Sequence, residues 1–220
     1  MRRRWPKVSV LVTAKDPAAL FAKVRQLKQQ DYPSFEVVAT LGGTITNGYN
    51  QAIRRAKGTV VVFTETDVVP FNRSWLRELV SQVRPGEVVK GLESRPLPFN
   101  LSNTACLATI AKRFPLDPLY SFASDTEWCQ RLQRRGIRIR YLNAAGVLHR
   151  RPPCSPKALR RAYQYGRMWA RIRRKYAPAT VASLIHLARY EIRYWRTVLR
   201  GIAAEPRATS QRTRRRGQRR

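Results

Sequence analysis

The chain has 220 residues, of which 44 are Lys or Arg and 13 are Asp or Glu, giving a formal charge of +31. An excess of this size favours phosphate-bearing partners, and a hydrophobic share of 43% excludes a wholly disordered basic chain. No apolar run approaches the roughly 18 residues of a spanning helix, and Cys106, Cys129 and Cys154 fit neither a disulfide framework nor a paired zinc motif.

The basic opening MRRRWPK runs into an apolar stretch with no small-residue cleavage site, so it reads poorly as a secretory signal. A reducing, cytoplasmic setting is expected, with any membrane work done peripherally from the inner face. VSVLVTA (8–14) predicts a buried strand, and PAALFAKVRQLKQQ (17–30) predicts a helix with Leu20, Val24 and Leu27 on one face. FEVVATL (35–41) predicts a second strand. NGYNQAIRRAKG (47–58) predicts a helix closed by Gly58, and TVVVFT (59–64) a third strand, apolar throughout like a central parallel strand.

After Pro70 a helix is expected from Asn72 or Ser74 through Trp75, Leu76 and Leu79, then a strand around EVVKGL (87–92). NTACLATIAKRF (103–114) predicts a helix. SDTEWCQRLQRRG (124–136) carries the strongest helix signals, a capping box of Ser124 and Glu127 at one end and Gly136 at the other. IRIRYL (137–142) and GVLHR (146–150) predict short strands. This alternation implies an α/β fold around a mostly parallel sheet.

Charge divides the chain. Residues 1–150 hold a net +13 and residues 151–220 a net +18, and the proline-rich RPPCSP (151–156) marks the change. Three segments are expected: an α/β domain over 1–150, a basic helical extension over 151–204 and a disordered basic tail over 205–220. In TVASLIHLARYEIRYWRTVLRG (180–201) an apolar stripe containing Trp195 runs beside Arg189, Arg193, Arg196 and Arg200. That pattern suits a helix lying on an anionic membrane, and equally a helix packed on its own domain with solvated arginines.

The thirteen acids include two pairs at i, i+2, Glu65 with Asp67 and Asp125 with Glu127. Glu65-Thr66-Asp67 follows an apolar strand, at the carboxyl edge where open α/β sheets bind ligands, and two carboxylates in such a turn can hold a hard divalent cation. A plain polar turn is the alternative. Asp125 stands in the first turn of its helix, where the helix dipole alone favours an acid and would also keep a general base ionised. Asp16 is a candidate nucleotide contact or a simple cap for the helix beginning at Pro17. His149 ends the last strand, and His186 reads as packing.

The order of these pieces resembles the family 2 glycosyltransferases of the GT-A fold, from about residue 8 to residue 176. VSVLVTAKD (8–16) is similar to the opening strand of that family, and NGYNQAIRRAKGTVVVFTETDVVPFNRSWL (47–76) to its helix, strand, DxD and helix core, with Glu65-Thr66-Asp67 in the DxD place. NTACLATIAKRF resembles the acceptor-side segment, SDTEWCQRLQRRGIRIRYLNAAGVLHR (124–150) the EDxDL region with its valine-x-histidine strand, and LRRAYQYGRMWARIRRKY (159–176) the helix that follows. The chain departs from the pattern in five places. ATLGGTITNGYN (39–50) lacks the acidic DDGS turn, Glu65 replaces an Asp, Ser124 replaces the acid before Asp125, Glu127 replaces the second Asp of that region, and the QxxRW signature is absent.

The resemblance implies an inverting, metal-assisted transfer from a nucleotide-sugar to an acceptor hydroxyl. Asp125 takes the place of the catalytic base. Asp16, Glu65 and Asp67 take nucleotide-sugar-binding positions, and Asp67, Glu65 and His149 would hold Mg²⁺ or Mn²⁺. The donor base stays open among UDP, GDP and others, and the acceptor is an unspecified glycan or lipid-linked molecule. A nucleic-acid-binding protein and an inactive GT-A scaffold are the competing classes; no RNA- or DNA-binding signature accompanies the arginine stripes.

Overall fold

Valine-rich runs form the parallel half of the sheet, because β-branched side chains suit strands, and two of the runs are buried along almost their whole length. In the computed structural model, which describes residues 5–94, 100–121, 123–150 and the helical positions Met168, Arg171, Ile172, Lys175 and Tyr176, these runs fall where the sequence places them. They are β1 (Val8–Ala14), β2 (Phe35–Leu41) and β3 (Val60–Glu65). β1 lies between the other two and pairs in parallel with both, Val8 standing opposite Phe35 on one side and Val60 on the other.

The first crossover is α1 (Pro17–Leu27), with Pro at its first turn and Asp16 as N-cap. The second, α2 (Ile45–Arg55), is capped by Thr44, whose hydroxyl accepts from the Asn47 amide at 3.2 Å. This helix stops at Arg55, so Gly58 is not its closing residue as expected. Its glycine has a different cause: a Cβ there would lie 2.5 Å from the Ser9 nitrogen, 2.7 Å from the Val8 carbonyl carbon and 2.8 Å from the Lys7 oxygen. The three atoms are backbone and cannot give way. Gly58→Ala is therefore expected to cost on the order of 1–3 kcal/mol, read as a lower urea midpoint with an unchanged slope. An unaltered midpoint would contradict the close approach.

Beyond β3 come β4 (Val68–Pro70), α3 (Trp75–Ser81), β5 (Glu87–Lys90), β6 (Thr104–Leu107) and α4 (Ala108–Arg113). A short 3-10 turn (Pro118–Tyr120), α5 (Ser124–Arg134), β7 (Arg138–Tyr141) and β8 (Val147–His149) complete the first unit. The main sheet runs β2-β1-β3-β6-β5-β7 and is parallel throughout except for β6, which pairs antiparallel with both β3 and β5. β4 and β8 form a separate two-stranded antiparallel ribbon.

Two expectations need correction. Residues 103–114 are not one helix: Thr104–Leu107 insert as β6 between β3 and β5, and only Ala108–Arg113 are helical. A four-residue apolar run does not distinguish a buried strand from a helix start, and here the open hydrogen-bonding edge of β3 selects the strand. The capping box is not made either. α5 begins one residue earlier than expected, with Ala123 at the N-cap and Ser124 already helical, so Ser124 makes no capping hydrogen bond. Glu127 is fully buried and pairs with Arg131 one turn on, Oε1 accepting from Nε at 3.0 Å.

Apolar side chains fill both faces of the sheet. On one face Leu11, Tyr49, Val61, Phe63 and Trp128 pack beneath α2 and α5; on the other, Val10, Val62, Trp75, Leu76 and Leu79 pack beneath α1 and α3. Phe63 meets Tyr49 edge-on at 5.3 Å and Trp128 at 5.8 Å, which fixes α2 and α5 against the central strand. The chain divides into two compact units, Met1–Arg151 and Pro152–Arg220. The arginine-striped segments of 159–176 and 180–201, and the tail, lie outside the described residues apart from the five named positions. Among the described residues no helix is long and apolar enough to cross a membrane.

Candidate active site

Glu65 is the last residue of β3, standing beside Thr13 of β1, so its carboxylate emerges at the carboxyl edge of the sheet. The strand end is held from below: the Tyr49 hydroxyl donates to the Thr64 carbonyl at 3.0 Å. A tight turn through Thr66 and Asp67 leads into β4. There the buried Lys23, from the inner face of α1, donates to the Val68 carbonyl and to Gln26 Oε1. Burial brings the Lys23 ammonium down to about 7 against the opposing pull of Asp67 and Glu65.

The β4–β8 ribbon brings His149 to this turn across more than eighty residues of sequence. Val68 stands opposite His149, and the Arg150 amide donates to the Asp67 carbonyl at 2.7 Å. His149 Nε2 then lies 3.6 Å from Asp67 Oδ2 and 4.0 Å from Glu65 Oε2. Each of the three residues offers one ligand atom within 4.8 Å of the others. Two carboxylates and an imidazole form an oxygen-and-nitrogen donor set that suits Mg²⁺ or Mn²⁺, so the residues fit the cation that the sequence implies.

The electrostatics of these groups are mutually coupled. Burial, then the neighbouring Asp67, pushes Glu65 up to about 7. Hydrogen bonding to Asp67, then to Glu93, raises His149 to about 9.

Asp125 reaches the same edge from α5. It occupies the first turn, half-buried, and its Oδ1 accepts from the Thr126 amide at 2.7 Å. Burial raises it to about 6, a shift that hydrogen bonding to the Thr126 amide opposes. Asp125 and Glu65 line one pocket, together with Ile45, Tyr49, Leu101, Ser121 and Ser124. The pocket therefore sets two carboxylates against an apolar and hydroxyl-bearing wall.

Asp16 lies at the same sheet edge, after β1, but outside the three-ligand group. Both its oxygens accept from helix amides, Oδ1 from Ala18 at 3.0 Å and Oδ2 from Ala19 at 3.3 Å. Glu127 points into the core, away from this chemistry.

Sequence reasoning missed a second polar layer behind His149. Glu93 Oε2 lies 3.4 Å from His149 Nδ1, and Glu93 also accepts from Lys90, from Ser102 Oγ at 2.8 Å and from Asn100 Nδ2 at 3.2 Å. Burial works against this carboxylate, but hydrogen bonds from His149 and Lys90 hold it down at about 2. Asn103, in the left-handed region at φ 57°, ties the loops together: it donates to the Leu92 and Ala145 carbonyls, each at 2.9 Å, and accepts from Trp75 Nε1 at 2.7 Å. Glu93 stands alone in a polar loop, with no spacing that marks it. The one available signal was Lys90, a charged residue closing the apolar strand EVVK.

No family profile and no curated protein sequence matches this chain. Solved structures do. A mannosyltransferase from Pyrobaculum calidifontis, in complex with GDP-Man and Mn²⁺, is 15% identical at a TM-score of 0.60, over 92% of this chain and 86% of that one. Glucosyl-3-phosphoglycerate synthase from Mycobacterium tuberculosis, in complex with Mn²⁺, UDP and glucosyl-3-phosphoglycerate, is 14% identical at 0.61, over 76% and 80%. Residues 1–349 of S. aureus TarS, in complex with UDP-GlcNAc, are 17% identical at 0.51, over 66% and 59%. The architecture is the GT-A fold of nucleotide-sugar glycosyltransferases.

Proposed function

We propose that this GT-A chain is an inverting glycosyltransferase of the family 2 type, moving a sugar from a nucleotide-sugar donor to an acceptor hydroxyl. The observation that carries the reading is a pocket lined by both a half-buried carboxylate on a helix, Asp125, and Glu65, which also belongs to an oxygen-and-nitrogen ligand set with Asp67 and His149.

Asp67, with Glu65 and His149, would hold Mg²⁺ or Mn²⁺. A divalent cation at that position supplies positive charge against a diphosphate and so favours its departure. Asp125 accepts the proton of the acceptor hydroxyl as that oxygen bonds to the anomeric carbon and the bond to the diphosphate breaks. A single base acting on the face opposite the leaving group yields inversion. The buried Tyr49 and Leu101 line the pocket beside Asp125 and lower the local dielectric, which strengthens its interaction with the transferring proton. Asp16 stands at the donor edge as a candidate nucleotide contact in addition to its capping role.

A thermal-shift screen of nucleotide-sugars with and without Mn²⁺ tests the reading. One donor is expected to raise Tm by several degrees only when Mn²⁺ is present, since a ligand at about 100 times its Kd contributes about 2.7 kcal/mol. A metal-independent shift, or none across UDP-, GDP- and other donors, would count against it. The membrane-surface role extends this reading to the arginine stripes. Sedimentation with anionic but not neutral vesicles is its expected outcome, and equal behaviour with both overturns it.

A further inference from the structure

His149 is the one proposed metal ligand that does not belong to the Glu65–Asp67 turn, and an imidazole has two nitrogens that can each bind metal or carry a proton. In this fold the ring is gripped from behind. Its Nδ1 faces Glu93 Oε2 at 3.4 Å, while Nε2 faces Asp67 and Glu65. Glu93 is itself immobilised, with a side chain 5% exposed that accepts from Lys90, Ser102 and Asn100. Lys90 is anchored in turn by the Ser102 carbonyl and by Asn100 Oδ1 at 2.8 Å. The layer is charge-balanced, one buried carboxylate against one buried ammonium.

We infer that Glu93 is a positioning residue: it holds the His149 ring with a proton on Nδ1, so that Nε2, when it gives up its own proton, directs its lone pair at the Glu65–Asp67 pair for the cation. The inference rests on the metal reading of this site proposed above. Its physical basis is general, because a carboxylate behind a ligating histidine sets both the tautomer and the ring orientation and raises the basicity of the ligating nitrogen. Lys90, Ser102 and Asn100 keep that carboxylate in place and satisfied, so that it does not itself swing forward to compete for the cation.

The test is Mn²⁺ affinity, measured by calorimetry on the full chain in the absence of nucleotide. Glu93→Gln is expected to weaken Mn²⁺ binding by roughly 10- to 100-fold. The same substitution in a His149→Ala background is expected to add little, because the effect travels through the ring. An unchanged Kd in Glu93→Gln, or an equal loss in the His149→Ala background, overturns the positioning role alone. Failure of the wild-type chain to bind Mn²⁺ overturns the metal site and this inference with it. Should Glu93→Gln not fold, ¹⁵N spectra of the Zn²⁺-loaded wild-type chain decide the matter, since only two histidines are present. A proton on Nδ1 of His149 is expected, and Nδ1 coordinated or unprotonated overturns the proposal.

Discussion

Asp125→Asn is expected to lower sugar transfer by about 10²- to 10⁴-fold while leaving donor and Mn²⁺ affinity unchanged, the range a positioned general base contributes. The amide keeps the shape of the side chain and its place in the first turn of α5 but has no oxygen basic enough to take the acceptor proton. Full transferase activity in this variant would remove Asp125 from the mechanism. The pH dependence carries the same information. With Asp125 raised by burial to about 6, wild-type turnover should rise with pH through about 6 and then level, as the carboxylate becomes ionised.

The same shift has a stability counterpart of definite sign. Because the folded carboxyl binds its proton more tightly than the ordinary Asp value of 3.8, stability falls as pH rises from about 4 to about 6. Asn does not titrate. Above pH 6 the variant is therefore expected to be the more stable protein, by on the order of 1–3 kcal/mol, and the difference should vanish near pH 3. Denaturant midpoints at the two pH values measure it. A gain in stability paired with a loss of rate marks a charge retained for function.

Asp67→Ala is the second large expected effect: Mn²⁺ binding at least 10-fold weaker and transfer roughly 100-fold slower, since cation stabilisation of a leaving diphosphate is worth several kcal/mol. Asp67 suits the experiment because its side chain is 39% exposed and supports little of the core. Chelation of the wild-type protein should reproduce the loss, and added Mn²⁺ should restore the wild type but not the variant. Undiminished transfer in excess chelator would sink the metal assignment. The imidazole titration reports the same contact. Asp67 is the leading cause of the rise in His149 to about 9, so its removal should bring that titration down toward 6.5. The stabilisation that protonated His149 draws from Asp67 is lost as pH rises through 9, so the variant's shortfall in stability belongs below that pH.

The expected elements and the observed ones agree best where one local signal dominates. β1 and β2 have the bounds read from their valine-rich runs, and Pro17 after Asp16 marks the start of α1. Agreement ends where a partner from elsewhere in the chain decides. Thr104–Leu107 are a strand because β3 and β5 each present an edge to them, and Gly58 is required by the backbone of β1 instead of by a helix end. β4 is three residues long and exists through its pairing with β8, so nothing within Val68–Pro70 announces it.

The candidate site divides in the same way. Residue types and spacing within the sequence were enough to place Glu65 with Asp67 at a strand end and Asp125 in a helical first turn, because each depends on its immediate neighbours in the chain, whereas a metal place for His149 came only from the family resemblance. That His149 meets Asp67 depends on the β4–β8 ribbon, and that Asp125 shares a pocket with Glu65 depends on Phe63 and Trp128 packing α5 against the central strand. Lys23 and Glu93 look like ordinary surface charges in the sequence, and Lys90 stands out only as the charged end of an apolar strand. Folding buries them, and burial gives them their roles, since a charge removed from water must be matched by named partners close at hand. Composition and local pattern thus determined the class of fold and the acids with chemistry to offer. Long-range pairing and desolvation determined which of them lie together and what holds them in place.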